Sequence, residues 1–159
     1  MINYEKYIAP IFRFIYFKIK NYQEAEDLTQ TVFLKAWKNI DKYKDEGYRF
    51  SSWLYAIARN TVIDYWKKNK ALNIEEEILN LIPDNKNILE EIENESDFKQ
   101  IINSINELSE EQEEIIILKF IEGLSNQEIS KITNKKEDAI RQLQTRALKS
   151  LKDILEKYE

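Results

Sequence analysis

Aromatic and cationic side chains are interleaved over residues 53–68, a combination that can hold unpaired nucleic-acid bases. The segment contains Trp53, Tyr55, Tyr65 and Trp66 together with Arg59, Lys67 and Lys68. Stacking of one base on an aromatic ring contributes about 1–3 kcal/mol, and nearby cations bind the sugar–phosphate backbone. An extruded base also needs polar groups along its Watson–Crick edge, which Asn60 and Asp64 could supply. The chemistry available here is the opening and capture of a DNA strand.

Two of these aromatic residues also lie on the apolar stripe of a predicted helix. The stripe consists of Trp53, Leu54, Ile57, Ala58, Val62 and Tyr65. Spacing of three and four residues is typical of a buried helix face, so we expect Trp53 and Tyr65 to belong to the core. The candidates for DNA contacts are Arg59, Asn60, Asp64, Trp66, Lys67 and Lys68. Of these, Arg59, Asn60, Lys67 and Lys68 are the stronger.

A second basic segment, residues 125–152, has the pattern of a helix-turn-helix. Ser125 and Glu128 have the spacing of a capping box that begins one helix, and Asn134 and Glu137 have the spacing of another. Apolar residues on the two predicted helices should form the contact between them: Ile129, Ile132, Ile140, Leu143 and Ala147. The alternative is an amphipathic helical pair with a solvated basic face and no DNA contact.

The outward face of the second predicted helix has side chains that can recognise DNA bases. In a helix-turn-helix this helix lies in the major groove, where Arg pairs with guanine and Gln with adenine. The candidates are Arg141, Gln142, Thr145, Arg146 and Lys149. We expect Lys131, Lys149 and Lys152 to contact phosphates, which position a protein without specifying sequence.

The charge of the chain is unevenly distributed. The net charge is -5, yet residues 1–70 hold 13 Lys and Arg against 8 Asp and Glu, and residues 125–152 hold 7 against 3. Residues 71–107 hold 2 against 10. Two basic segments therefore flank an acidic one, and the local field rather than the net charge governs binding to DNA.

The composition excludes most catalytic chemistry. The chain of 159 residues has no cysteine and no histidine, so it cannot form a disulfide, a thiolate zinc site or a His-dependent catalytic triad. Its two glycines, Gly47 and Gly123, do not make a Gly-rich phosphate-binding loop. An enzyme would have to use carboxylates, lysine or tyrosine alone. We therefore expect a protein that is not an enzyme and has no metal or cofactor.

The N-terminal segment does not have the pattern of a targeting signal. Charged residues interrupt the apolar residues of positions 1–20, and a small-residue cleavage site does not follow. The sequence also contains no uncharged stretch approaching the ~20 residues of a membrane span. We expect a soluble cytoplasmic protein without membrane insertion.

Helix is the predicted conformation of the N-terminal half. Glycine and proline are scarce, and apolar residues recur at spacings of three and four. One helix is expected from the stripe between Tyr4 and Ile19, kinked or delayed by Pro10. A loop is expected at residues 42–51, which are polar and contain Gly47.

The C-terminal half has helix boundaries that can be predicted from single residues. Ser109 and Gln112 have the spacing of a capping box for a helix to about Ile121. Gly123 is expected to end that helix. The last helix is expected to extend to about Leu155.

Three motifs in a fixed order resemble a known protein family. Residues 26–37 are Glu-Asp-Leu-Thr-Gln-Thr-Val-Phe-Leu-Lys-Ala-Trp, residues 50–68 form the aromatic and cationic segment, and residues 122–129 are Glu-Gly-Leu-Ser-Asn-Gln-Glu-Ile. Together they resemble an alternative RNA polymerase sigma factor of the bacterial extracytoplasmic-function type. The resemblance implies an all-α fold of two small helical domains joined by an acidic linker. The implied parts are sigma region 2 at residues 1–70, the linker at residues 71–92, and the region 4 helix-turn-helix at residues 93–159.

The resemblance also implies partners and contact residues. Core RNA polymerase would be bound through its clamp helices and flap, and the clamp-helix contact would use Asp27, Gln30, Phe33, Lys35 and Trp37. For Trp37, the sequence does not distinguish a residue of the hydrophobic core from a residue of this interface. Promoter DNA would be bound at its upstream (-35) element by region 4, and bound and melted at its downstream (-10) element by region 2. An anti-sigma factor, where one exists, would be on another chain.

The chain departs from the family pattern at three places. Thr31 replaces a residue that is usually acidic, Asp138-Ala139 replaces the usual Gly-Thr before the recognition helix, and Leu143 replaces a residue that is basic in many members. The base preference at the upstream element is therefore not transferable from the family.

Two other functions remain open from the sequence. The motif at residues 122–129 is almost as similar to the output domain of LuxR-type regulators, and such a regulator would bind duplex DNA without joining polymerase. A helical adaptor without a nucleic-acid role is the second. The linker also has two interpretations, a solvated tether or an acidic strand that imitates RNA in the polymerase.

Overall fold

The fold consists of helices in two separate compact units. The computed structural model describes residues 4–43, 49–70 and 96–157, and the chain divides into the units Met1–Ile88 and Leu89–Glu159. These described ranges contain helices and turns and no strand. The prediction of an all-α chain with two small helical domains is confirmed. The predicted linker at residues 71–92 lies outside the described residues.

Within its described residues, 4–43 and 49–70, the first unit is a bundle of three α-helices. They are α1 (Glu5–Ile19), α2 (Tyr22–Lys38) and α3 (Phe50–Lys70), with a short 3-10 helix at Ile40–Lys42. Lys20 ends α1 in a left-handed conformation with φ of 61°, and Asn21 begins α2 by accepting a hydrogen bond from the Glu24 N–H at 3.0 Å. The connection between α1 and α2 is therefore only two residues long.

Pro10 lies inside α1 rather than at its start. The helix begins at Glu5 and continues through Pro10 to Ile19, so the predicted delay of the helix is wrong. Proline has no N–H to donate to the preceding turn. Burial of the apolar face of α1, where Ile11, Phe14 and Ile15 are at most 1% exposed, offsets the loss of that bond.

The core of the first unit is formed by one face of each helix. Its fully buried members are Ile11, Phe14, Ile15, Ala25, Val32, Ala36, Leu54, Ala58 and Val62. The Phe14 ring packs edge-on against Tyr55 with 5.6 Å between ring centroids. Tyr55 is 3% exposed and so belongs to this core, not to a surface that could stack a base.

The predicted loop at residues 42–51 is shorter than expected. Lys42 ends the 3-10 helix, and α3 begins at Phe50, so Phe50 and Ser51 are helical. Residues 44–48 lie outside the described residues. The Phe50 ring at the start of this helix contacts Tyr7, Tyr43 and Trp53.

Over the part of it that is described, residues 96–157, the second unit contains four α-helices and a π-helix. They are α4 (Ser96–Asn106), α5 (Glu110–Ile116), the π-helix Ile117–Ile121, α6 (Asn126–Thr133) and α7 (Glu137–Glu156). The predicted helix to Ile121 therefore changes its hydrogen-bonding pattern after Ile116. Gly123 ends it as predicted, with φ of 71°, a conformation that glycine adopts at low cost.

Ser109 begins α5, but only one of the two hydrogen bonds of the predicted capping box is present. The Ser109 hydroxyl accepts a hydrogen bond from the Gln112 N–H at 3.3 Å. The Gln112 side-chain amide donates instead to the Ser150 hydroxyl of α7 at 3.3 Å. A tertiary contact has therefore replaced the local one.

The capping box predicted at Asn134 and Glu137 is wrong. Asn134 has φ of 58° and is the C-cap of α6, while Lys136 is the N-cap of α7 and makes no side-chain capping bond. Asn tolerates the left-handed conformation that ends many helices. The turn is closed by the Ser130 hydroxyl, which donates to the Lys135 carbonyl at 2.5 Å.

Replacement of a core side chain of α1 should destabilise the first unit strongly. Phe14→Ala is expected to lower the free energy of unfolding by about 3–5 kcal/mol, because a buried ring leaves a cavity. Ile8→Ala is the control, since Ile8 is on the same helix but 46% exposed, and it should change stability by about 0.5 kcal/mol or less. Tryptophan fluorescence in urea measures this unit, because all three tryptophans lie within residues 1–70. Equal effects of the two changes would contradict the described core.

Candidate functional site

Two opposite faces of α2 have different surroundings. Ala25, Thr29, Val32 and Ala36 are buried against the bundle. On the other side, Asp27, Gln30, Leu34 and Trp37 are exposed at spacings of three and four residues. We call these last four residues the α2 stripe. Its spacing is that of a coiled-coil seam, so it is suited to contact another helix.

The α2 stripe exposes two large apolar side chains. Leu34 is 62% exposed and Trp37 is 67% exposed. Trp37 is therefore a surface residue, which supports the interface interpretation over the core interpretation. Leu34 is not among the polymerase contacts predicted from the sequence. Its position four residues after Gln30 and three before Trp37 could have indicated that it shares their helix face. Exposed apolar side chains that lie together mark interaction sites more often than isolated ones.

Phe33 and Lys35 lie off the α2 stripe. Phe33 is half-buried, and its ring is 6.3 Å from that of Tyr4. The Lys35 ammonium donates to the Thr61 hydroxyl of α3 at 3.1 Å, and that hydroxyl donates to the Ile57 carbonyl at 2.7 Å. Both residues thus join α2 to its neighbours in the bundle, whereas Asp27, Gln30 and Trp37 are directed outward.

An aromatic cluster connects the α2 stripe to α3. Phe50 is at its centre, with ring-centroid distances of 5.4 Å to Tyr7, 5.3 Å to Tyr43 and 5.5 Å to Trp53. Tyr4 contacts both Phe50 at 6.2 Å and Trp37 at 6.0 Å. Trp53 is half-buried in this cluster and is not among the fully buried residues of the core in which it was predicted. The cluster holds the N-terminal end of α3 against α1 and α2.

One face of α3 exposes polar and charged side chains. Asn60, Asp64 and Lys67 follow one another at spacings of four and three residues, and they are exposed, as is Lys68. Trp53 lies on the same face two turns earlier, about 10 Å along the helix axis. We call this the α3 face. It combines an amide, a carboxylate and two ammonium groups, which together can bind a base edge and a phosphate backbone.

Arg59 and Trp66 are half-buried at the margin of the α3 face. The Lys18 ammonium of α1 lies 5.8 Å from the Trp66 ring centroid, within the range of a cation–π contact. Trp66 is therefore partly engaged within the bundle. Of the six residues predicted on α3 for DNA, four are exposed and two are half-buried.

The second unit contains a helix-turn-helix formed by α6 and α7. Ser125 and Glu128 form the predicted capping box, with both hydrogen bonds at 3.1 Å. Ile129 and Ile140 are completely buried between the helices. The Gln144 amide donates to the Asn126 amide oxygen at 2.6 Å, which links α7 to the first turn of α6.

The outward face of α7 has the composition expected of a recognition helix. Arg141, Gln142, Thr145, Arg146 and Lys149 are all exposed, and so is Lys131 of α6. Ile140 and Ala147 are buried on the opposite side, and Leu143 is half-buried. The predicted outward orientation of these polar residues is thus found in the structure. We call their surface the α7 face.

Residues 4–43, 49–70 and 96–157 contain neither a candidate metal site nor a candidate membrane span. These residues provide no group of three or more acidic side chains placed to bind a metal ion. They also include no helix that is long and apolar enough to span a bilayer.

Loss of the Lys35–Thr61 hydrogen bond should weaken the bundle. Lys35→Met keeps the aliphatic part of the side chain but removes the donor, so we expect the unfolding free energy to fall by about 1 kcal/mol. Lys38→Met is the matched control, because Lys38 is exposed one turn later on α2. Urea unfolding followed by fluorescence measures both. An effect of Lys35→Met no larger than that of Lys38→Met would exclude a structural role for this bond.

Family models match both units of the chain. The Sigma-70 region 2 model matches residues 4–72, which include the α2 stripe and the α3 face. The Sigma-70 region 4 model matches residues 98–151, which include the helix-turn-helix. Two different domain models in this order match the order of the motifs in the sequence.

Individual proteins give the same result. The ECF RNA polymerase sigma factor SigW of Bacillus subtilis is 32% identical over 143 residues, covering 80% of this chain and 73% of its own length. The ECF RNA polymerase sigma factor BldN of Streptomyces coelicolor is 31% identical over 96% of this chain, which spans only 58% of that relative. The sigma factor RpoE from Bartonella quintana, solved with the anti-sigma factor NepR, has the same fold, with a TM-score of 0.74 at 20% identity over 96% of this chain and 94% of its own. The chain belongs to the ECF family of RNA polymerase sigma factors.

Proposed function

We propose that this chain is an alternative sigma factor that recruits core RNA polymerase to a two-part promoter and helps to open it. The observation that carries the proposal is the arrangement of the first unit. The α2 stripe and the α3 face are separate exposed surfaces of one three-helix bundle, so polymerase and DNA can be bound at the same time. The protein has no catalytic role in this scheme and acts in the cytoplasm, where the polymerase is.

The α2 stripe is the proposed contact with the clamp helices of the polymerase. Those helices form a coiled coil in the family's partner, and a stripe with coiled-coil spacing is complementary to them. Leu34 and Trp37 supply the apolar area, and Asp27 and Gln30 supply polar contacts at the same spacing. Phe33 and Lys35 support this surface from within the bundle, and Thr31 lies at its margin.

The α3 face is the proposed contact with the downstream promoter element. Melting of DNA costs roughly 1.4 kcal/mol per base-pair step. Contacts between the protein and the captured bases and phosphates must offset that cost. Asn60 and Asp64 are the proposed contacts to an extruded base, and Lys67 and Lys68 are the proposed contacts to the single-stranded backbone. Arg59 and Trp66 form the margin of this surface.

The α7 face is the proposed contact with the upstream element in the major groove. Arg141, Gln142, Thr145 and Arg146 lie towards the N-terminal half of α7, where side chains reach base edges in a helix-turn-helix. Lys131 and Lys149 are the proposed phosphate contacts. The domains assigned to these roles are residues 1–70 and 93–159, with residues 71–92 as the connecting linker.

Protein partners of two kinds follow from family membership. Core RNA polymerase is bound through its clamp helices by region 2 and through its flap by region 4. An anti-sigma factor on another chain is the proposed regulator, by analogy with RpoE, which was solved in complex with the anti-sigma factor NepR. CnrH, of similar fold, was solved in complex with the cytosolic domain of CnrY. A LuxR-type regulator would account for the second unit only and leaves the α2 stripe without a role.

Reconstitution with core polymerase tests the function. The chain should co-elute with core enzyme in size-exclusion chromatography and direct run-off transcription from specific start sites of a genomic promoter library. The free chain should bind duplex DNA much more weakly than the 10⁻⁸ M or tighter that is typical of specific regulators. Tight duplex binding without co-elution would instead indicate a conventional regulator.

Replacement of Trp37 should separate polymerase binding from folding. Trp37→Ala is expected to weaken the affinity for core enzyme by about 30-fold, because exposed tryptophans are frequent hot spots worth about 2 kcal/mol or more. Tyr22→Ala is the matched control, since Tyr22 is also an exposed aromatic residue of α2 but lies off the stripe. Fluorescence anisotropy of labelled chain measures both affinities, and circular dichroism verifies folding. Equal losses of affinity for Trp37→Ala and Tyr22→Ala would show that the α2 stripe is not part of the interface with polymerase.

Replacement of Asn60 should impair promoter opening while polymerase binding is retained. Asn60→Ala is expected to lower the yield of open complex about tenfold, because loss of one hydrogen-bonding partner of a buried base edge costs roughly 1–3 kcal/mol. Asn103→Ala is the control, since Asn103 is an exposed helical amide of α4 outside the proposed DNA contacts. Permanganate footprinting of the holoenzyme measures opening. A normal footprint with Asn60→Ala would assign base capture to other residues.

A further inference from the structure

An acidic residue lies on the DNA-facing side of the proposed recognition helix. Asp138 is in the first turn of α7 and is exposed, and it stands where the family usually has glycine. Gln142, Thr145 and Lys149 follow it by four, seven and eleven residues, so all four lie on one helix face. A carboxylate in this place would be repelled by phosphates unless a neighbouring cation balances its charge.

The balancing charge is the Arg141 guanidinium. Arg141 donates to the Asp138 carboxylate, and the pair is exposed, with side-chain exposures of 56% and 84%. The Thr145 hydroxyl donates to the Arg141 carbonyl at 3.1 Å on the same face. Asp138 and Arg141 are in the first two turns of α7. In a helix-turn-helix, side chains at this N-terminal end of the recognition helix contact base edges.

A paired arginine and aspartate can contact two neighbouring base pairs. A guanidinium has five N–H donors in a planar fork, so an edge bound to a carboxylate leaves another edge available. That free edge has the geometry to donate to O6 and N7 of guanine. The carboxylate keeps unused lone pairs, which can accept from the N4 amino group of cytosine.

We infer that Asp138 and Arg141 act as one specificity-determining unit, which selects a guanine next to a cytosine in the upstream promoter element. Arg141 contacts the guanine, and Asp138 contacts the cytosine and holds the guanidinium in position. This inference rests on the proposed function, because it assigns a base preference to the α7 face. It gives Asp138 a specific role that glycine at this position could not have.

Selection from a promoter library tests the inference. Holoenzyme is reconstituted from the full chain and core polymerase, and promoters randomised over the upstream element are selected by transcription and sequenced. Three chains are compared: wild type, Asp138→Ala and Glu137→Ala. Glu137 is the matched control, because it is exposed in the same first turn and has the same charge, but points about 100° away around the helix.

The wild type should select a guanine and cytosine at neighbouring positions. Asp138→Ala should reduce the preference for the cytosine about tenfold, which is within the range of one specific base contact, and broaden the preference for the guanine. Glu137→Ala should leave both preferences unchanged. If the wild type selects a defined upstream element and Asp138→Ala selects the same one, the inference is overturned but the proposed function is not. A wild-type chain that does not assemble with core polymerase, or selects no upstream element, would overturn the proposed function and this inference with it.

Discussion

Close packing of α2 between α1 and α3 is the interaction on which the first unit depends. Small buried side chains, Ala25, Thr29 and Ala36, allow the neighbouring helices to approach α2, and the Thr29 hydroxyl donates to the Ala25 carbonyl at 2.6 Å, so that no polar atom is left unsatisfied there. Because only this face of α2 packs into the core of the bundle, the opposite face is exposed along the length of the helix. The exposed surface proposed to bind a partner helix is therefore a direct consequence of how the bundle is packed.

In the second unit, the main structural constraint is the packing of the short helix α6 against α7. An eight-residue helix such as α6 is too short to be stable alone. The capping box of Ser125 and Glu128, the burial of Ile129 and the bond from Gln144 to Asn126 hold it against α7. The polar face of α7 is thereby left exposed at a fixed angle to the rest of the unit.

Local charge explains how an acidic chain can contain surfaces that we propose bind DNA. The negative charge is concentrated between residues 71 and 107, whereas the α3 face and the α7 face lie in basic segments. Fields of exposed charges are screened over about 10 Å at ordinary salt concentrations. A phosphate at either face is therefore affected mainly by the charges nearest to it, which include the lysines and arginines of that face, rather than by the net charge of the chain.

The sequence by itself determined the helices, most of their ends and the outward face of α7, because helix period and capping are set by residues three and four positions apart. Ser125 with Glu128 and Gly123 were predicted correctly for this reason. Tertiary structure decided which faces are covered: Tyr55 is buried by Phe14, Lys35 binds Thr61, Gln112 binds Ser150, and Leu34 is left exposed. Periodicity assigns residues to a common face, but only packing between distant helices determines whether that face is buried or available to a partner.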